Sequence, residues 1–254
     1  MLMSDNTNIE TGYETIKFTK DGGRANVTLN RPEVINAYNI QMRDELFQIL
    51  EACQLDPEVR VIVLRGEGPR GFCAGADLSE FGSAPSVAIA REVRWQRDVW
   101  TAFLELDKPI ICVMHGHTIG SGIEMALLCD IRIAAESTIF RMPEAYLGLL
   151  PAAGGSQTLP RYVGESPALV MLLSNRAWTA EQGLKAGIVS DLVPDSEINA
   201  LVNYYADYLQ SMDPGFIRLL KRSIHGNFNL SLDQGLSLEI HCASQRMADM
   251  VRVG

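Results

Sequence analysis

No apolar run in the chain is long enough to cross a bilayer. The longest, Pro109–Met114 and Met125–Cys129, fall far below the roughly 20 residues that a spanning helix needs. The opening Met-Leu-Met-Ser-Asp-Asn-Thr-Asn-Ile-Glu is polar and acidic and lacks the basic region and apolar core of a secretory leader, so no export is expected. Cysteine is scarce and unpaired in spacing. Cys53, Cys73, Cys112, Cys129 and Cys242 form an odd, scattered set, which excludes a disulfide framework and a zinc site and predicts buried free thiols in a reducing cytoplasm. Positive charge is in deficit, with 22 basic against 31 acidic side chains and a net charge of −9. That balance excludes broad binding to nucleic acid or anionic lipid. One anionic small ligand remains compatible with it, since a local cluster or a helix start can hold phosphate within an acidic protein.

Several motifs are missing too. There is no Gly-x-x-x-x-Gly-Lys-Ser/Thr phosphate loop and no Gly-x-Ser-x-Gly nucleophile elbow. The glycines from Gly116 to Gly122 do not have dinucleotide-binding spacing. His115 and His117 have no third metal ligand nearby, and Cys73 has no neighbouring histidine to activate it, so neither a metal nor a covalent thiol is expected.

What is present is an ordinary globular composition, 47% hydrophobic and 21% charged, over 254 residues. Tyr13–Phe18 and Ala25–Leu29 are β-rich and flank Asp21-Gly22-Gly23, a hairpin signal. Met42, Leu46, Leu50 and Cys53 recur at helical spacing and predict a helix over Ile40–Leu55. Val61–Leu64, Ile110–Met114 and Ile131–Ala134 read as buried strands, with helices over Ser86–Leu106 and Ile123–Cys129 and a glycine-interrupted loop at Gly116–Gly122. This alternation predicts an α/β core of parallel strands with helical crossovers. After Asp195 the character turns helical, over Ile198–Met212, Gly215–His225 and Leu232–Met250. We therefore divide the chain into a core, 1–195, and a helical region, 196–254.

Three segments carry candidate chemistry. Phe72-Cys73-Ala74-Gly75-Ala76-Asp77-Leu78 follows a strand, and its small residues permit close ligand approach to backbone N–H groups; an ordinary tight connection has the same composition. Gly116-His117-Thr118-Ile119-Gly120-Ser121-Gly122-Ile123-Glu124 opens a helix whose free N–H groups suit a developing oxyanion. Glu124 precedes Met125-Ala126-Leu127-Leu128. It is either a desolvated acid–base group or a first-turn carboxylate complementing the helix dipole in water. Glu144, in Phe140-Arg141-Met142-Pro143-Glu144, is open to the same two readings, and spacing alone does not bring the two carboxylates together.

Taken in this order, the segments resemble the enoyl-CoA hydratase/isomerase (crotonase) family. The resemblance runs from Leu29-Asn30-Arg31-Pro32 and Asn36-Ala37 through Asp107-Lys108-Pro109-Ile110, Cys129-Asp130-Ile131-Arg132-Ile133-Ala134 and Thr179-Ala180-Glu181-Gln182-Gly183-Leu184 to Leu192-Val193-Pro194. It implies a crotonase-like spiral of repeated ββα units with a helical C-terminal oligomerisation region, assembled as a homotrimer or homohexamer. It also implies an acyl-CoA substrate and no cofactor beyond the coenzyme A of that substrate. By the resemblance, Glu124 and Glu144 are the catalytic carboxylates, and the Ala76 and Ser121 N–H groups form the oxyanion hole. Ala37, Ala74, Asp77, Leu78 and Gly122 would contact CoA or acyl group, and Lys221 would meet a CoA phosphate.

Both carboxylates together mark the hydratase branch, so water addition to an enoyl-CoA is the expected reaction. Isomerisation, hydration of dienoyl or cyclic esters, and C–C or thioester cleavage are the alternatives, with a non-catalytic RNA-binding or assembly role behind them. Ser121 stands where glycine is usual in the family. Arg141-Met142 is bulkier and more basic than usual: Arg141 points either to solvent or a neighbouring subunit, or into the pocket, where it would lower the pKa of Glu144 or recognise a second carboxylate on the substrate. The segment Phe81–Leu106 is expected to shape the acyl pocket, with Trp95 and Trp100 in the core.

Overall fold

The computed structural model describes residues 12–253; the polar stretch Met1–Glu10 lies outside them. The hairpin forms as β1 (Ile16–Asp21) and β2 (Arg24–Leu29), antiparallel about Gly22-Gly23, with Gly22 at φ +56° as such a tight turn requires. Helix α1 (Ile40–Leu55) follows, with the Asn39 side chain accepting from the Met42 N–H as its N-cap. It leads to β3 (Val61–Gly66), parallel to β2.

The predicted helix over Ser86–Leu106 is two helices, α2 (Val87–Gln96) and α3 (Val99–Glu105). The break has a local cause: the Asp98 carboxylate accepts from the Thr101 N–H and hydroxyl, starting a new helix. Next come β4 (Ile110–Met114), β5 (His117–Ile119), α4 (Ser121–Ala126), β6 (Ile131–Ala135) and β7 (Ile139–Arg141). After these, α5 (Gly155–Val163), α6 (Glu165–Ser174), β8 (Trp178–Thr179), α7 (Ala180–Ala186) and β9 (Asp191–Val193) complete the α/β part. The chain finishes on α8 (Ile198–Ser211), α9 (Pro214–Gly226) and α10 (Leu232–Val253).

The main sheet has the order β1-β2-β3-β4-β6-β9, parallel from β2 onward, and a small second sheet joins β5, β7 and β8. The apolar strands look continuous because both faces are covered. On β3, Ile62 and Leu64 enter the large core beneath α1 and α3, while Val61 and Val63 face α8 through Val202 and Ala206. Helix α8 thus shares a core with the sheet, although it falls beyond Asp195. Among the described residues no helix is long and apolar enough to cross a membrane. All five cysteines are buried and unbridged.

Three loops are stitched together at the carboxyl ends of the strands by single bridges: Tyr38 to Ala76, Gly71 to Gly116 and Cys73 to Thr118. Asn36 anchors this junction. It is fully buried, at φ +55°, and its amide donates to the Glu67, Gly71 and Phe72 carbonyls while its oxygen accepts from the Arg31 N–H.

Candidate active site

The stitched loops bring the segment 72–78 against the start of α4. The Ala74 N–H donates to the Ile35 carbonyl and the Asp77 N–H to the Tyr38 carbonyl, which fixes the loop either side of Ala76. Between them the Ala76 N–H has no acceptor among the described residues, and neither has the N–H of Ser121, at the first turn of α4. The two loops meet at Gly75 and Gly120: a side chain at Gly75 would lie 3.7 Å from the Ser121 nitrogen, and one at Gly120 the same distance from the Gly75 Cα. Two unfilled N–H donors on adjoining backbone suit one oxyanion.

Glu124 is 2% exposed on α4, so the solvated first-turn reading does not hold. Its Oε1 accepts from the Gly155 N–H at 2.8 Å and the Ala153 N–H at 3.1 Å, at the start of α5. Burial pushes its pKa up, opposed by those two N–H groups, the Ser121 side chain and the Arg94 charge. Glu144 stands at the head of a 3-10 turn over Ala145–Leu147, but its side chain does not cap that turn. Its Oε1 nests over Gly120, where any Cβ would come within 2.5 Å, and its Oε2 is buried without a partner. Burial raises its pKa too, and the Glu124 charge adds to the rise. Both carboxylates line one cleft of about 650 Å³, together with Ala76 and Ser121. An ionisable pair held beside two backbone donors can move protons at a carbon next to a polarised carbonyl.

The family of this chain follows from residues 19–251, which match the enoyl-CoA hydratase/isomerase family. This protein is a member of that family. It is 36% identical to the 2,3-dehydroadipyl-CoA hydratase of Escherichia coli over 84% of this chain and 82% of the relative. It is 32% identical to the (E)-benzylidenesuccinyl-CoA hydratase of Thauera aromatica over 84% and 82%. A Thermobifida fusca protein solved in complex with CoA superposes with a TM-score of 0.87 at 30% identity, over 97% of this chain and 98% of that one. The fold is therefore the crotonase fold, α/β with a helical C-terminal region.

Within that family frame, the residues expected at the site divide. Ala74, Ala76, Leu78, Ser121, Glu124 and Glu144 line the cleft. Asp77 lines an adjoining cavity, its carboxylate held by Arg31 at 2.9 Å and by the Ser79 hydroxyl and N–H, which keep its pKa low. Ala37 lines neither cavity; its carbonyl accepts from Arg31. Gly122 does not line the cleft. It faces Cys73, where a Cβ would come within 2.9 Å, so its role is to let α4 pack on the 72–78 loop. Lys221 does not line the cleft either: its ammonium sits largely buried on Asp130 at 2.8 Å and on the Lys108 carbonyl. Arg141 points outward to Asn175. Trp100 packs against the core as expected and also lines the cleft, tilted against Tyr38, whereas Trp95, likewise expected in the core, is 67% exposed beneath the Arg91 guanidinium.

Sequence reasoning missed five residues of the site: Ala153 and Gly155 as donors to Glu124, the Tyr38 side chain, and Arg94 and Arg97 on the cleft wall. The Ala152-Ala153-Gly154-Gly155 run is small and glycine-rich. Nothing in its composition pointed to Glu124, 31 residues earlier.

Proposed function

We propose that this chain is an enoyl-CoA hydratase that adds water across the α,β double bond of an acyl-CoA thioester. The observation that carries the reading is the asymmetry of the two carboxylates. Glu124 accepts two backbone N–H bonds, which favour its ionised form and suit a base toward water. Glu144 has a buried oxygen without a partner beside that charge, which favours its protonated form and suits an acid toward carbon.

In this reading the thioester oxygen lies between the Ala76 and Ser121 N–H groups. Glu124 takes a proton from water as its oxygen bonds to the β-carbon. Glu144 gives its proton to the α-carbon, and the enolate-like charge on the thioester oxygen collapses back to a carbonyl. Ala74 and Leu78 on the cleft wall, with Asp77 behind them, form the side along which CoA would lie. No cofactor takes part. The unbridged cysteines accord with a cytoplasmic setting, and the helical region would form the contacts of a homotrimer or homohexamer.

The test is a mass-resolved assay of Glu124→Gln and Glu144→Gln on a panel of enoyl-CoA esters. Each substitution should lower kcat by about 10²–10⁴-fold, with a product heavier by one water from the unaltered protein. Full hydration by either variant would overturn the reading.

A further inference from the structure

The wall of the cleft is apolar at Phe81, Trp100, Leu147, Leu149 and Leu150, but it carries charge as well. Arg43, Arg94, Arg97 and Asp98 all line it, in a protein whose net charge is −9. Three of these charges are already engaged. Arg43 and Arg97 both bind Asp44, at 2.7 Å each, and Asp98 caps α3. Arg94 differs: among the described residues it has no carboxylate partner, and its guanidinium donates only to the Ala152 carbonyl. A second polar group is unmet in the same cleft. The Tyr38 hydroxyl is buried without a hydrogen-bond partner. Covering the unpaired Arg94 guanidinium with methylenes would forfeit its hydration without compensation, and methylenes offer the already buried Tyr38 hydroxyl no partner.

The position of Arg94 relative to the reacting centre is set by one peptide unit. The Ala152 carbonyl accepts from Arg94, while the Ala153 N–H of the same peptide donates to Glu124. The guanidinium is thus two hydrogen bonds and a peptide group from the Glu124 carboxylate. The pantetheine arm keeps CoA phosphates much farther than that from a thioester carbonyl seated at Ala76 and Ser121. The anion that reaches Arg94 therefore comes from the acyl end.

We infer that the substrate is an enoyl-CoA whose short acyl chain carries a second carboxylate, bound by Arg94 at the far wall of the cleft. This inference rests on the acyl-CoA reading above and assigns to Arg94 the recognition that the sequence had offered to Arg141.

The experiment is a binding titration with saturated esters, which cannot be hydrated: CoA half-esters of linear dicarboxylic acids, alkanoyl-CoA of equal carbon number, and free CoA. The unaltered protein should bind the carboxylate-ended ester about 10–100-fold more tightly than its methyl-ended counterpart. Arg94→Gln should bring that ratio close to one, and Arg94→Lys, which keeps charge without the fork, should retain part of it. A ratio near one in the unaltered protein would refute the inference. So would an unchanged ratio in Arg94→Gln, the result if Arg94 merely braces the Ala152 loop. Weakening of free CoA by as much as the carboxylate-ended ester would also refute it and assign Arg94 to phosphate. If the binding preference holds but the unsaturated carboxylate-ended ester gains no water, the hydratase reading fails and the carboxylate site stands.

Discussion

At the scale of single residues, the site is made by what glycine omits. A Cβ at Gly155 would lie 2.7 Å from the Glu124 Oε1, 2.9 Å from its Cγ and 3.0 Å from the Met142 Cε. Gly155 is the first residue of α5, a position whose helical backbone does not itself demand glycine. Gly155→Ala should therefore act on position more than on stability. We expect kcat to fall by about 10²-fold through displacement of Glu124, with Tm shifted by only a few degrees. Hydration kinetics beside a thermal melt check this, and unchanged kcat would mean that Glu124 needs no fixed seat. Both glutamates could be read in the sequence as candidates, because each interrupts an apolar stretch. The glycine seats beneath them could not, since the contact depends on chain brought back from 24 residues away for Gly120 and Glu144 and 31 for Gly155 and Glu124. Arg94 was illegible for the same reason: its partner at Ala152 is 58 residues distant.

At the scale of elements, local signals located the long ones well. Helix α1 and strand β4 match their sequence-predicted bounds, because each has a clear period or an unbroken apolar run between turns. The strands β5, β7 and β8, two or three residues each, escaped notice; segments so short have no period to read. Lys221 shows a contact that local sequence does not reveal. A lysine on α9 looks available in sequence, yet Asp130 claims it across 91 residues. Asp130 also accepts from the Ile110 N–H at 2.8 Å and lies 3.3 Å from His225, so it pins α9 to the start of β4. Burial pushes its pKa up, but His225, Lys221 and the Ile110 N–H outweigh that and hold it below the usual carboxylate range. A pKa lowered by folding means a contribution to stability that is present above the unfolded value, about 3.9, and lost as pH falls through the folded one. Asp130→Asn should thus cost about 3–5 kcal/mol at neutral pH by leaving Lys221 buried and unpaired. The gap to the unaltered protein should narrow in melts below about pH 4, as Asp130 itself takes up a proton. A gap independent of pH would show that the pair does not fasten α9.

At the scale of the whole molecule, the division near Asp195 follows a change in secondary structure more closely than a change in packing. Helix α8 covers one face of the sheet, whereas α10, 22 residues long, rests chiefly on α9. That helical pair leaves Leu220, Ile224, Leu236, Ile240 and Met247 exposed. Large apolar side chains exposed together on a helical pair are candidates for a contact with another chain. The resemblance predicts a trimer or hexamer with this region as its contact, and we propose these side chains as that contact. A net charge of −9 does not oppose such assembly, since like charges spread over a surface are screened within about 10 Å at ordinary salt while apolar contact is not. Sedimentation equilibrium at micromolar concentration should give three or six times the 28.0 kDa chain mass. Ile240→Glu, which places a charge in the middle of the α10 face, should return the mass toward one chain. A single-chain mass for the unaltered protein would require another partner for the face, because nothing else among the described residues covers it.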